Sequence, residues 1–436
     1  MTKTYIIGVT APNQTRNLDS WLPSLCWLPL ALSINSFFIP PGTSLGYWGR
    51  WIGLAFLVIY GLCKIVLPSK WKINKFDYFA FVFFLLITIS TVCANTDGAL
   101  YISDFYQTGV FKAFSLLLTY LFLTLGVQSL IKSLNDAIDI IKKLVFIVTI
   151  IYTVGLIGNL SGLIPEFVGF YSGIFINPNT TAAVGVIILP LCLWVAFSQK
   201  QWGVFRLLPL LVIIAAVALS EARTPFVVIS ILTIYYLMSW LRYQGWSMTS
   251  IYAMSAIAIS LFSLLSIYFW ESDIAVKLYD SLTDTRYGGI TSYRTSLIWP
   301  LFIKEIFSSP VSALIGNGWG SEEALLKSQG LDTKIFEIFN LGNAHSAYLG
   351  LTYQIGLIGL ALTFLPLWAI VFNQIKESSS FHNREEFEFK LALVGALLAE
   401  LCVCFFESGF YNIGSAHALP GWLVTYIAVK VPEIGK

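Results

Sequence analysis

Charge is scarce in this sequence. Asp, Glu, Lys and Arg make up 11% of its 436 residues, where soluble domains carry roughly a quarter. Hydrophobic residues reach 57% and the mean hydropathy is +0.75, a balance that does not fit a water-soluble fold. Histidine is limited to three residues and cysteine to six. All the cysteines (Cys26, Cys63, Cys93, Cys192, Cys402 and Cys404) fall inside long apolar runs, away from any loop where an oxidising compartment would pair them. They are expected to pack rather than to bridge.

Several other signals are missing. There is no internal repeat, low-complexity tract or linker, so one domain is expected over 1–436. There is no nucleotide-binding glycine loop either: Gly316-Asn317-Gly318-Trp319-Gly320 lacks the Lys-Ser/Thr ending and follows no strand. Nucleotide sugars and ATP are therefore not expected as energy sources, and energy is expected to come with the substrate or from a gradient. The acids Glu271, Asp273, Asp280, Asp284, Glu322 and Glu323 are scattered, without metal-ligand spacing around a histidine. Asp97 and Asp104 are the remaining pair to consider for a divalent ion. Neither a metal nor a soluble cofactor is expected, and no nucleic-acid partner. Tyr5 to Val9 is a short apolar stretch without the make-up of a signal peptide, so insertion is expected to rely on the first span.

What is present is a succession of apolar runs able to cross about 30 Å of hydrocarbon, where backbone groups must be satisfied internally. The runs predict an all-α integral membrane protein with about twelve transmembrane helices. They lie near Trp21 to Ile39, Trp48 to Leu67, Tyr78 to Ala94, Val110 to Leu130, Leu144 to Leu160 and Thr181 to Ser198. The second set is Phe205 to Leu219, Pro225 to Leu241, Ser250 to Trp270, Ser346 to Val371, Phe387 to Phe406 and His417 to Val429. The net charge of +2 says little, but its placement is informative. Lys70, Lys72 and Lys75, then Lys132, Lys142 and Lys143, then Lys200 and Arg206, Arg242, and Lys376 and Arg384 follow alternate spans. The intervening short loops carry only Arg50, Lys112 and Arg223, so the positive-inside rule places both termini in the cytoplasm.

The one long loop, 271–344, then faces outward. Loops of that length are usually functional or disordered. Tyr293 to Phe307 has the mixed composition of an interfacial helix, kinked or started by Pro300. Gly316 to Gly320 reads as a tight turn, with helical pieces near Ser321 to Ser328 and Thr333 to Phe339. The loop is expected to fold as a cap over an outward cavity.

Ionisable groups at a membrane edge are where a functional search begins. Arg223, in Ser220-Glu221-Ala222-Arg223-Thr224-Pro225, must lie at the outer edge. Paired with Arg294 it would suit a diphosphate, which accepts bidentate bonds from guanidinium forks. Alternatively, Arg223 pairs with Glu221 or reaches lipid headgroups, and Arg294 is a solvated charge on the cap helix or a contact to anionic lipid. Arg286 is a weaker candidate. His345 stands where the long loop enters the tenth span, and imidazole is well matched to taking a proton from a hydroxyl; the bland alternative is a structural polar contact. His382 lies in a charged cytoplasmic loop, and His417 starts the last span on the outer side.

The order of motifs resembles the bacterial O-antigen ligase and polymerase superfamily of polytopic glycosyltransferases. The matching stretches are Phe175-Ile176-Asn177-Pro178-Asn179, Ser220 to Pro225, Arg294 with Trp299 followed by Gly316 to Gly320, and Asn343-Ala344-His345 followed by Gln354-Ile355-Gly356-Leu357-Ile358-Gly359. The resemblance covers roughly Gly173 to Leu360 specifically and the rest by hydropathy alone. It implies a twelve-helix, GT-C-like fold with a capped outward cavity in the bacterial inner membrane. It also implies transfer of a glycan from a polyprenyl diphosphate carrier to an acceptor glycan, lipid A core or protein hydroxyl. Arg223 and Arg294 would hold the diphosphate and His345 would act as base, with Asn179, Asn343 and Arg286 as further site residues. A flippase and a chain-length regulator would be neighbours. Where the family has small, glycine-containing surroundings for its first arginine, this chain has Glu221-Ala222.

The competing reading is a transporter or flippase of a small anion or of the lipid-linked glycan. Such proteins place charged or broken helices near the midplane and often show repeated halves. Glu400 is the clearest acid within a span, and its plain alternative is a bond to a neighbouring hydroxyl or indole.

Overall fold

The computed structural model describes residues 21–25, 44–66, 75–93, 109–164, 171–175, 178–198, 200–253, 297–329, 343–411 and 418–434, with single positions at 257 and 260. Among the described residues all regular structure is helical. The first half of the chain gives α1 (Ser44–Val66), α2 (Lys75–Cys93), α3 (Gly109–Leu121), α4 (Leu134–Leu160), α5 (Pro178–Ser198), α6 (Leu208–Leu219) and α7 (Thr224–Tyr243). The long loop contributes three short helices, α8 (Trp299–Ile306), α9 (Pro310–Ile315) and α10 (Glu322–Ser328). The C-terminal part forms α11 (Ala347–Glu377), α12 (Arg384–Val403) and α13 (Ala418–Ile434).

Six stretches are long and apolar enough to cross a membrane: Lys75–Cys93, Lys112–Leu130, Leu134–Leu160, Pro178–Ser198, Thr224–Tyr243 and Ala347–Ser380. The protein is accordingly a helical membrane protein. The expected first and ninth spans fall mostly outside the described residues, which show helix there only at 22–25 and 248–253 among contiguous positions.

Local chemistry explains where helices begin. Ser133 caps α4 reciprocally with Asp136: the Asp136 amide donates to Ser133 Oγ (3.3 Å) and the Ser133 amide to Asp136 Oδ2 (2.9 Å). That capping box satisfies amides that would otherwise lack partners and starts α4 ahead of the expected Leu144. Lys142 and Lys143, read as loop charges, therefore lie within the helix, and Lys143 is buried against Asp139 at 2.7 Å. Pro225 and Pro300 sit in the first turns of α7 and α8, where a missing amide costs nothing. A π-helical turn at 297–298 leads directly into α8, so helical backbone runs on both sides of Pro300.

The centre of the bundle is the pair α5 and α12, which share the most extensive helix contact. Their facing residues are almost wholly buried, with Trp194 and Phe389 rings 4.9 Å apart. Cross-links fix how the helices run. Arg242 Nε donates to the Lys376 carbonyl (3.4 Å), Tyr243 stacks on Phe387 (4.2 Å), and Ser198 donates to Glu388. The C-terminal ends of α5, α7 and α11 and the start of α12 therefore meet at one end of the bundle. The opposite end collects the starts of α5, α7 and α11, the finish of α12, and the short loop helices, which pack on the first half of α11.

Candidate functional site

The site end is organised by a broken helix. α11 is interrupted at Gly356 (φ 71°, ψ 178°), so the carbonyls just before the break lose their helical partners. The glycine-rich loop supplies them: the amides of Asn317 and Gly318 donate to the Tyr353 and Gln354 carbonyls at 2.8 and 3.1 Å. Gly320 donates to Gln354 Oε1 (2.7 Å), and Ser90 of α2 joins the node, donating to the Gln354 carbonyl and accepting from Gly318 (3.1 Å). Buried Trp319 packs edge-on against Phe83 (5.8 Å) and Tyr411 (6.1 Å). Two stretches singled out from the sequence, Gly316 to Gly320 and Gln354 to Gly359, are thus halves of one joint that seats the loop on the membrane helices.

His345 lies ahead of that joint in the chain, directly before the Ser346 cap of α11. Its backbone is left-handed, with φ 50°, a region that non-glycine residues seldom adopt. The surroundings hold it there. Asn343 Oδ1 accepts from the His345 amide (2.8 Å), Ser346 caps α11 by accepting from the Leu349 amide (3.4 Å), and the Ala347 amide reaches the carbonyls of Cys404 (2.7 Å) and Glu407 (2.9 Å). The same turn brings Glu407 Oε2 to 3.8 Å from His345 Nδ1. At that separation the two groups meet as an electrostatic contact, longer than a direct hydrogen bond. His345 is buried and Glu407 half-buried.

Ala344 is clamped on both of its backbone groups by the loop. Trp299 Nε1 donates to its carbonyl (3.0 Å) and Glu322 Oε1 accepts from its amide (3.2 Å). Glu322 is fully buried and also accepts from Tyr411 Oη (2.9 Å). Burial raises its carboxyl above the ordinary 4.5, while the positive charge of Lys112 and the two donated bonds pull the other way. Burial and the adjoining Glu322 likewise raise the Tyr411 phenol well above its usual range.

Glu322 and Glu407 escaped the sequence reading. Glu322 had been grouped with scattered loop acids, yet Leu325 and Leu326 follow at helical spacing and share its buried face; that spacing was the available signal. Glu407 follows two phenylalanines at the end of an apolar run, and no local pattern distinguishes it.

The other candidates divide. Arg223 occupies the position before the first turn of α7, and Asn179 is exposed in the first turn of α5, so both share the end of the bundle with His345. Asn343 uses its side-chain oxygen to hold the His345 backbone. Arg286, Arg294 and His417 lie outside the described residues, as do Asp97 and Asp104. Glu400 is fully buried, but in the last turn of α12 rather than at mid-helix; Cys404 Sγ donates to its Oε1 at 3.9 Å. No protein-family model matches the chain, and no curated protein matches it.

Proposed function

We propose that this protein is a glycosyltransferase of the O-antigen ligase and polymerase kind. It would move a glycan from a polyprenyl diphosphate carrier to the hydroxyl of a glycan, a lipid A core or a protein. The observation that carries the reading is His345, held at φ 50° with Nδ1 3.8 Å from Glu407, at the bundle end that also bears Arg223. Strained backbone is retained where the surroundings enforce it, and it clusters at functional sites.

In this reading His345 takes the proton of the acceptor hydroxyl as its oxygen bonds to the anomeric carbon. The bond from that carbon to the carrier oxygen breaks, and the diphosphate leaves with the electron pair. Glu407 stabilises the imidazolium that forms, and Arg223 and Arg294 oppose the charge developing on the leaving diphosphate. The carrier diphosphate is already a good leaving group, so the scheme calls on no soluble cofactor. The basic end of the bundle, with Arg242, Lys376 and Arg384, fits the cytoplasmic side of a bacterial inner membrane, which makes the His345 end extracytoplasmic. A transport reading had rested on Glu400 as a midplane acid, and its place beside the end of α12 supports a framework role instead.

The test is surface-glycan analysis, by gel and mass, of cells whose only copy carries His345→Ala, with membrane levels of the protein followed in parallel. Loss of long glycan with accumulated carrier-linked units at normal protein level is the expected result. An unchanged glycan profile overturns the assignment.

A further inference from the structure

The chemistry proposed above concerns His345, and the residue before it, Ala344, is held by the loop. We propose that Glu322 is a positioning residue that transmits the folded state of the loop to His345. The inference rests on the transferase reading for what His345 does, though not for the geometry.

Three observations carry it. First, a fully buried carboxyl is costly unless it is matched; among the described residues Glu322 Oε2 has no hydrogen-bond partner, so the match falls to Oε1, which gathers two donors from separate parts of the chain, the Ala344 amide at 3.2 Å and Tyr411 Oη at 2.9 Å. Those donors flank the working pair. Ala344 directly precedes His345, and Tyr411 follows Glu407 in the short turn after α12. Second, the first turn of α11 is cut away to admit the contact, since a β-carbon on Gly350 would overlap both Glu322 Oε1 and Tyr411 Oη. Third, Trp299 holds the Ala344 carbonyl from another loop helix at 3.0 Å, so the loop grips both polar groups of the residue that feeds the left-handed turn.

A residue at φ 50° persists only where its neighbours over-determine it. Releasing the Ala344 amide lets the turn relax toward ordinary backbone and swings the imidazole away from Glu407. Glutamine keeps an acceptor oxygen at the Oε1 position; alanine does not.

The experiment compares wild type, Glu322→Gln, Glu322→Ala and Tyr411→Phe in native membranes. The first readout is the rate at which diethyl pyrocarbonate modifies His345, measured by peptide mass. The second is transfer kinetics. Glu322→Ala is expected to raise the modification rate about fivefold, the population factor set by one lost buried hydrogen bond. It should also lower kcat about tenfold while leaving KM for the donor within about twofold. Glu322→Gln should restore both values to within about twofold of wild type. Should Glu322→Ala fail to accumulate, Tyr411→Phe removes one of the two donors and is expected to raise the modification rate in the same direction. Unchanged His345 reactivity in Glu322→Ala and Tyr411→Phe overturns the proposal. So does a glutamine variant as impaired as alanine, which would make the charge facing Lys112 the property that matters. If no form transfers glycan, wild type included, yet His345 reactivity still rises in Glu322→Ala, the transferase reading fails and the positioning role stands.

Discussion

Gly316 of the loop and Gly356 of α11 cross with no room for a side chain on either. A β-carbon on Gly316 would stand 2.5 Å from the Gln354 carbonyl carbon, and one on Gly356 would overlap the Leu314 carbonyl. Both are left-handed as well, at φ 92° and 71°. Gly356→Ala therefore meets two penalties, backbone strain and overlap, while Gly203→Ala meets only one: Gly203 has φ 55° with nothing near the added carbon. Left-handed strain alone costs roughly 1–2 kcal/mol. The Gly356 variant should accordingly unfold at a clearly lower temperature than the Gly203 variant, in detergent-solubilised protein. Equal melting temperatures would show that the joint yields freely.

The same joint shows what could be read from the sequence and what could not. Helix positions were legible because apolar runs are set by the thickness of hydrocarbon, and most described helices overlap an expected stretch, commonly overrunning it at one end. The break in α11 was not, since one glycine in an apolar run has the same hydropathy whether it continues the helix or interrupts it. It becomes visible only when the partner carbonyls and the loop amides are placed together. His345 was legible as a rare imidazole at a loop-to-helix boundary. Glu407 and Glu322 were not, because long-range folding brings Glu407 to the imidazole and Glu322 to Ala344, with no spacing between these residues to announce it. Asn343 is legible from its motif, and its side-chain oxygen accepts from the His345 amide.

Chemistry and backbone at His345 can be separated by substitution. Asparagine tolerates the left-handed region better than most residues, and glycine has no penalty there. His345→Asn should accumulate to near wild-type level, and His345→Gly should melt no lower than His345→Ala, with relief of about 1 kcal/mol from the backbone. All three should lose transfer alike. Recovery of transfer in the asparagine or glycine variant would assign the residue a purely conformational part.

Arg223 distinguishes recognition of a diphosphate from simple attraction to lipid. Lysine keeps the charge but loses the planar fork of donors. If the guanidinium grips a diphosphate through paired bonds, Arg223→Lys should lower kcat/KM by about tenfold or more, close to the loss in Arg223→Ala. An arginine that only meets headgroups would let lysine serve nearly as well. Transfer assays on membranes with matched protein levels separate the two results.

Glu322 should make stability depend on pH in a direction that can be stated beforehand. Its carboxyl is raised above 4.5 chiefly by burial, opposed by Lys112, the Ala344 amide and the Tyr411 hydroxyl; Tyr353 is the other titratable group that senses it. Below the ordinary carboxyl range both folded and unfolded chains carry the proton, and the group contributes no pH dependence. Between that range and the raised folded value the unfolded chain has released the proton while the folded chain retains it. The folded state then binds more protons, so stability falls as pH rises through the window. Glutamine has no proton to release. The melting temperature of wild type relative to Glu322→Gln should therefore decline as pH rises from the ordinary carboxyl range through the raised folded value, as followed by thermal unfolding in detergent. A difference that stays constant over that range would mean the buried carboxyl is ionised throughout, held by Lys112, and that the glutamine variant removes an ion pair rather than imitating a neutral acid.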